Sequence, residues 1–533
     1  MLPFSVHVYL LFIILFEIVS CCQSDIFSIK KHACCNHGKI CGKKKWSDVL
    51  SNNKFPDEFF FGVSTSAYQT EGAWNLSGKG PSVWDDITHN SQHFLKDGRN
   101  ADIAADSYHK YKEDIQLAKS IGSTMFRISI SWTRILPNGF SNEINREGIY
   151  YYDNVINEMI ANGITPMITL LHGDPPSRLQ KWGGLLNSLF IDWFAEYARI
   201  AFANFGDRVK HWITINDPVG LCTSLYGGGV SSVLNESGMA NYYCVHYALL
   251  AHSRVYHIYR REFSKHEGKI GISHGYRMFL PVNVTSDADK CANRNAFMWY
   301  NDWLLNPIFS EEGDYPNFMK YQIGLKSRLE GFPKSRLPRF TKNEIHRIKG
   351  SADFLGMNVY LLELTESMTS SVNQVSFRND AEVKFENLWN KNTEVTFRDL
   401  LKAINSNTHI PEVYITETGY PDSEGLRDIN KAMYLRTYLL EILNAMKNGT
   451  NIRGYLVWSL LDSFEWAEGY RYRYGLFHVD FKDPNRRRTP RLSSKLIAKI
   501  YKERTLDDSM KFLGLALGSD ITNSNPNQIN MII

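Results

Sequence analysis

A chain of 533 residues that is 43% apolar and 22% charged has enough apolar content to bury a large core, which excludes an intrinsically disordered class. Its net charge of +4 is too small and too dispersed to suggest a nucleic-acid partner. Aromatic residues reach 13%, with 12 Trp and 28 Tyr; core packing accounts for most of them, and the excess suits a pocket for flat, partly apolar molecules.

The run from Val8 to Val19 is apolar apart from Glu17 and is followed by Ser20 and Cys22. It is too short to span a bilayer, so residues 1–22 are expected to be a cleaved secretory signal peptide, with a secreted product and no stable membrane insertion. Sequons at Asn75, Asn235, Asn283 and Asn448 are compatible with that route. Beyond the signal six cysteines remain: Cys34, Cys35, Cys41, Cys222, Cys244 and Cys291. Some should pair in an oxidising compartment, Cys222 with Cys244 as a loop clasp, although spacing does not dictate connectivity. His32, Cys34, Cys35, His37 and Cys41 resemble a metal knuckle, but adjacent cysteines in a secreted arm fit disulfides better, and no metal is expected. Residues 23–53, with Lys43 to Lys45 and little apolar periodicity, read as an arm.

From Phe55 onward short apolar runs alternate with longer amphipathic segments. Strands are expected at Phe59 to Val63, Met125 to Trp132, Ile164 to Leu171, Val209 to Ile215, Lys269 to Ser273, Phe354 to Tyr360, Val413 to Thr416 and Ile452 to Leu460. Helix-sized connections include Ser107 to Ser120, Ile191 to Phe205 and Lys431 to Lys447. Eight such alternations without an internal linker predict an α/β fold, a single (β/α)8 TIM barrel over 54–505 with elaborated loops. The tail, 506–533, is expected outside the core, and Arg486 to Arg488 as a solvated run. No phosphate loop, zinc-protease helix or nucleotide fingerprint is present, and no cofactor is expected.

A barrel carries its working side chains at the carboxyl ends of its strands. Those ends present Gln69 with Glu71, Arg127, His172 with Asp174, Asn216 with Asp217, Asn358 with Tyr360, Glu417, and Trp458 with Glu465 and Trp466. An isolated acidic residue at a loop start is usually nothing more. Here two strands, Trp212 to Asp217 and Tyr414 to Glu417, each deliver one carboxylate, and Pro218 forbids continuation of the first. Paired carboxylates are what glycoside hydrolysis needs, and the amides and rings around them suit a sugar.

The ordered motifs Phe61-Gly-Val-Ser-Thr-Ser-Ala-Tyr-Gln-Thr-Glu-Gly72, Phe126-Arg-Ile-Ser-Ile-Ser-Trp132, Asn216-Asp217-Pro218, Ile415-Thr416-Glu417 and Trp458-Ser-Leu-Leu-Asp-Ser-Phe-Glu-Trp466 resemble family 1 glycoside hydrolases. Within that family the likeness is to animal, particularly insect, β-glucosidases and myrosinases, over roughly residues 54–503. The resemblance implies Glu417 as nucleophile and Asp217 in the place of the acid/base. It implies Asn216, Gln69, His172, Glu465 and Trp466 as sugar ligands, Trp458 as the platform, and Arg127, Asn358 and Tyr360 around the nucleophile, Arg127 keeping Glu417 ionised.

Four positions depart from the family pattern: Asp217 replaces a glutamate, Gly173 a tryptophan, Thr418 an asparagine and Tyr474 a phenylalanine. The missing methylene withdraws the Asp217 carboxyl by about 1.5 Å, and general acid catalysis is worth about a hundred- to ten-thousand-fold. The expectation is a retaining β-glycosidase acting on O- or S-glucosides with weakened acid catalysis. The alternative is a carbohydrate-binding protein that has lost catalysis. A small glycoside is the expected partner, and a homodimer is compatible with all of this.

Overall fold

The computed structural model describes residues 53–90, 94–228, 233–360, 362–369, 374–387, 409–422 and 425–517. The expected signal peptide and Cys/Lys arm, the knuckle-like cluster and residues 518–533 lie outside them.

Eight strands close a barrel: β1 (Phe60–Ser64), β2 (Met125–Ser129), β3 (Thr165–Leu171), β4 (His211–Asn216), β5 (Lys269–Gly275), β6 (Phe354–Asn358), β7 (Val413–Glu417) and β8 (Ile452–Trp458). Each pairs in parallel with its sequence neighbours, and β1 closes on β8 from Phe60 opposite Gly454 to Ser64 opposite Trp458. All eight runs expected from the apolar pattern form these strands. Their side chains are buried on both faces, which is why they read as continuous apolar runs rather than as alternation. Met125, Met167, Ile213, Phe354, Tyr414 and Leu456 fill the lower lumen, so the barrel is a packed core open only at its rim.

The helices wrap this barrel with their apolar stripes inward. Helix Phe190–Phe205 buries Phe194, Ala198, Phe202 and Phe205, the helical spacing that marked it in the sequence. Helix Pro218–Tyr226 begins with Pro218 at its first turn, where a missing N–H costs nothing, and this converts the end of β4 directly into a helix start. The Cys222–Cys244 disulfide is formed and joins that helix to Ala240–Glu262. Among the described residues no helix is long and apolar enough to cross a membrane.

Three features depart from the expectations. Met278–Pro281, Leu362–Ser367 and Val383–Asn387 make a separate three-stranded sheet beside the rim, built from loops after β5 and β6. Packing reaches past residue 505: Ser509–Leu517 is helical and Leu513 is buried in the main hydrophobic core. Arg488 is not solvated, since its guanidinium is buried against Asp114 at 2.9 Å.

Candidate active site

Two irregularities in the ladder mark the rim. The register of β7 on β6 shifts between Ile415 and Glu417, and that of β4 on β5 shifts between Ile213 and Asn216. Such shifts re-aim side chains at barrel rims, and here they fall at the two strands that carry the carboxylates.

Glu417 is almost fully enclosed. Arg127 Nη1 donates to its Oε1 at 2.5 Å and the Tyr360 hydroxyl donates to its Oε2 at 2.7 Å. Burial raises the Glu417 carboxyl above its ordinary range, while the Arg127 charge and then the Tyr360 hydrogen bond pull it back; the Asp217 charge adds a small upward push. The Arg127 guanidinium thus favours the ionised form of Glu417, working against desolvation, which is the larger influence.

Arg127 organises the floor of the pocket. Its Nη2 donates to Asn216 Oδ1 at 2.6 Å and its Nε to Thr169 Oγ1 at 3.0 Å. One guanidinium therefore holds both Glu417 and the residue next to Asp217, which brings the two strand ends to one site. Asn358 completes the lattice: its Nδ2 donates to Asn216 Oδ1 at 2.9 Å, and its own Oδ1 accepts from Ser273 Oγ and Thr416 Oγ1. Asn358 thus orients Asn216 rather than facing outward. Ser273, Thr416 and Thr169 were not singled out in the sequence; hydroxyls in strand interiors carry no signal there, and only the closure of the barrel brings them together.

His172 stacks parallel to Trp458, ring centroids 5.5 Å apart, and lies 6.3 Å from Trp466. Burial, and then the Arg127 charge, hold its imidazole well below the usual histidine range, so it is neutral and available for hydrogen bonding. Trp466 lies parallel to Tyr68 at 6.2 Å and leans on Trp84 at 4.9 Å, which fixes a half-buried ring at the pocket wall. Gln69 is locked by Ser66 Oγ and the Phe464 carbonyl, and its Nε2 reaches Glu465 Oε2 at 3.4 Å. Burial pushes Glu465 up to about 8 against the hydrogen bond from Ser463, so at neutral pH it carries a proton and can donate to a hydroxyl.

Two rim acids stand apart from the pocket. Glu71 is taken up by Arg134 and the Tyr152 hydroxyl. Asp174 is buried, and desolvation lifts it to about 7 against the Lys79 charge.

Asp217 is the more open carboxylate, its side chain 29% exposed against 6% for Glu417. Its backbone is left-handed, φ 38° and ψ 66°, and its Oδ1 accepts the Gly220 N–H at 3.1 Å as the cap of helix Pro218–Tyr226. Gly173 also has a left-handed backbone, φ +88°, and a Cβ there would meet Trp466 at 3.5 Å and Leu221 at 4.0 Å, both ordinary contacts. Any larger residue is disfavoured by that backbone, and the wall over Trp466 is open. Thr418 sits by the Tyr434 hydroxyl, 3.4 Å away, and Tyr434 in turn donates to the Tyr360 carbonyl. Tyr474 packs edge-on against Tyr360 at 5.9 Å.

The fold and these strand ends have counterparts in known proteins. The chain is 42% identical to Myrosinase 1 of Brevicoryne brassicae over 452 residues, 83% of this chain and 97% of the relative. It is 38% identical to the cytosolic beta-glucosidase of Homo sapiens over 466 residues, 85% and 99% of the two chains. The solved structure of aphid myrosinase superposes with a TM-score of 0.79 at 41% identity, covering 85% of this chain and all of that one. The sequence profile of Glycosyl hydrolase family 1 matches residues 51–506, a span that contains all five motifs quoted above. The chain belongs to glycosyl hydrolase family 1.

Proposed function

We propose that this protein hydrolyses β-glucosides, O- or S-linked, with net retention at the anomeric carbon. A Glu417 oxygen attacks that carbon while the bond to the aglycone breaks, and the proton on Asp217 passes to the departing atom. The Asp217 carboxylate then takes a proton from water, the water oxygen attacks the same carbon, and Glu417 is released. The observation that carries this reading is Glu417 clamped between Arg127 and Tyr360, with the same guanidinium bound to the neighbour of Asp217. A carbohydrate-binding protein without catalysis finds no support here, because the nucleophile and both of its donors are in place. The test is a dinitrophenyl 2-deoxy-2-fluoro-β-glucoside. Stoichiometric labelling of the peptide containing Glu417, with the β-anomer as first product from an unmodified glucoside, is expected; a label elsewhere or an α-anomer overturns the reading.

S-glucosides are the favoured substrates within this class. The Asp217 carboxyl is short by one methylene, and one of its oxygens is engaged by the Gly220 N–H, whereas a thiolate-type aglycone departs with little protonation. Similarity to an insect myrosinase supports the same choice. A higher kcat/KM for a thioglucoside than for the O-glucoside of the same aglycone is expected. Secretion as an N-glycosylated protein belongs to the same proposal, supported by the Cys222–Cys244 disulfide and by the exposure of Asn75, Asn235, Asn283 and Asn448. A gel shift on enzymatic deglycosylation tests it, and sedimentation tests the expected homodimer.

A further inference from the structure

One buried group faces Asp217 and plays no part in the scheme above. His274, in the last turn of the β5 ladder, is fully buried, and its Nδ1 lies 3.8 Å from Asp217 Oδ1. Its tautomer is dictated from the far side. His274 Nε2 is 3.2 Å from Asn301 Oδ1, and that amide cannot be turned round, because Asn301 Nδ2 donates to the Arg277 carbonyl at 2.9 Å while Oδ1 accepts the Arg277 N–H at 3.1 Å. An acceptor opposite Nε2 places the ring proton there, and the neutral imidazole then shows Asp217 a bare lone pair. Among the described residues Nδ1 has no hydrogen-bond partner.

The surroundings are shaped to keep the two groups together. Asn301 projects from a single π turn, Met298–Asp302, an irregularity that recurs at functional sites. A Cβ on Gly275 or on Gly220 would collide with the Asp217 carboxyl, so two glycines leave the slot it occupies, and His274 closes the slot's side. Of the other groups around the ring, the Arg277 charge disfavours an imidazolium, whereas hydrogen bonds to Asn301 and to the Tyr300 backbone favour it. Arg277 is a cation paired with Glu363 at 2.9 Å, Tyr276 approaches edge-on at 6.0 Å, and the Tyr300 backbone completes the shell. Burial keeps His274 below its ordinary range, although the Asp217 charge draws it upward. At 3.8 Å the two atoms stand beyond hydrogen-bond distance, and two lone pairs facing each other repel unless a proton sits between them.

We propose that His274 is a positioning residue for the acid/base: its bare Nδ1 accepts the hydroxyl of protonated Asp217 between turnovers and holds the shortened side chain in its proton-donating form. The proton moves from this contact to the aglycone when the glycosidic bond breaks. It is replaced when Asp217 takes a proton from water in the second step, so His274 begins and ends neutral. The inference rests on the reading of Asp217 as acid/base.

The test is kcat/KM against pH for the full-length enzyme and its His274→Phe and His274→Gln variants, with aryl β-glucosides from dinitrophenyl to phenyl. Without the acceptor, His274→Phe should move the alkaline limb for phenyl glucoside down by about one pH unit. It should also lose about tenfold more on phenyl than on dinitrophenyl glucoside. His274→Gln, whose Oε1 can accept the same proton, should recover most of both effects. An unmoved alkaline limb, an equal loss across the series, or indistinguishable Phe and Gln variants would overturn the inference alone. A wild type that hydrolyses no member of the series overturns the functional reading and this inference with it.

Discussion

Asp217 serves both as acid/base and as helix cap, and two substitutions separate those roles. Asp217→Asn keeps the oxygen that accepts the Gly220 N–H at 3.1 Å, and asparagine tolerates the left-handed backbone at φ 38° at least as well as aspartate. Folding stability should therefore stay within about 0.5 kcal/mol of wild type. The proton is gone, so kcat/KM for phenyl glucoside should fall by about 10² to 10⁴, a loss of roughly 3–5 kcal/mol of transition-state stabilisation. Dinitrophenyl glucoside needs no acid in the first step but still needs the base in the second; the glycosyl-enzyme should accumulate, and azide, which needs no base, should release it. Asp217→Glu extends the side chain by about 1.5 Å, which lifts the carboxyl out of the slot between Gly220 and Gly275. It should lose about 1 kcal/mol of capping and gain about tenfold on phenyl glucoside. The assay is a plot of log kcat/KM against leaving-group acidity, with denaturant midpoints recorded in parallel. Hydrolysis of phenyl glucoside by Asp217→Asn within about threefold of wild type, or identical slopes for Asp217→Glu and wild type, would refute the assignment.

Two further outcomes follow from the buried charges. Arg127→Met leaves Glu417, Asn216 and Thr169 without their common donor. Unfolding in guanidinium should show a loss of about 3–5 kcal/mol, and the acid limb of kcat/KM should move to higher pH, because desolvation of Glu417 is no longer opposed; an unmoved acid limb would contradict the electrostatic account. Glu465 is raised to about 8 by burial, so between its ordinary range and that value the folded protein holds a proton that the unfolded chain releases. Its contribution to stability is therefore present at low pH and lost as pH rises toward 8. Glu465→Gln should flatten the fall of the denaturant midpoint from pH 5 to 8, and a slope identical to wild type would show that Glu465 does not hold that proton.

The eight strands and the two rim carboxylates were legible in the linear chain, because strands buried on both faces must be continuously apolar and a carboxylate that ends such a run has few structural uses. Val413 to Glu417 and Trp212 to Asp217 declare themselves in this way, and the glycine and proline after them declare the stop. The short sheet of Met278–Pro281, Leu362–Ser367 and Val383–Asn387 did not, since strands of four to six residues within long loops have too few periods to stand out. Nor did the pairing of His274 with Asp217. Local pattern encodes which residues are apolar and where a strand ends; it does not encode which side chains meet across strands. That was decided by barrel closure, by register shifts at β4 and β7, and by one π turn that aims Asn301 at a histidine on β5. Contacts between residues distant in the chain depend on the register and twist of the whole sheet, and those exist only once it is folded.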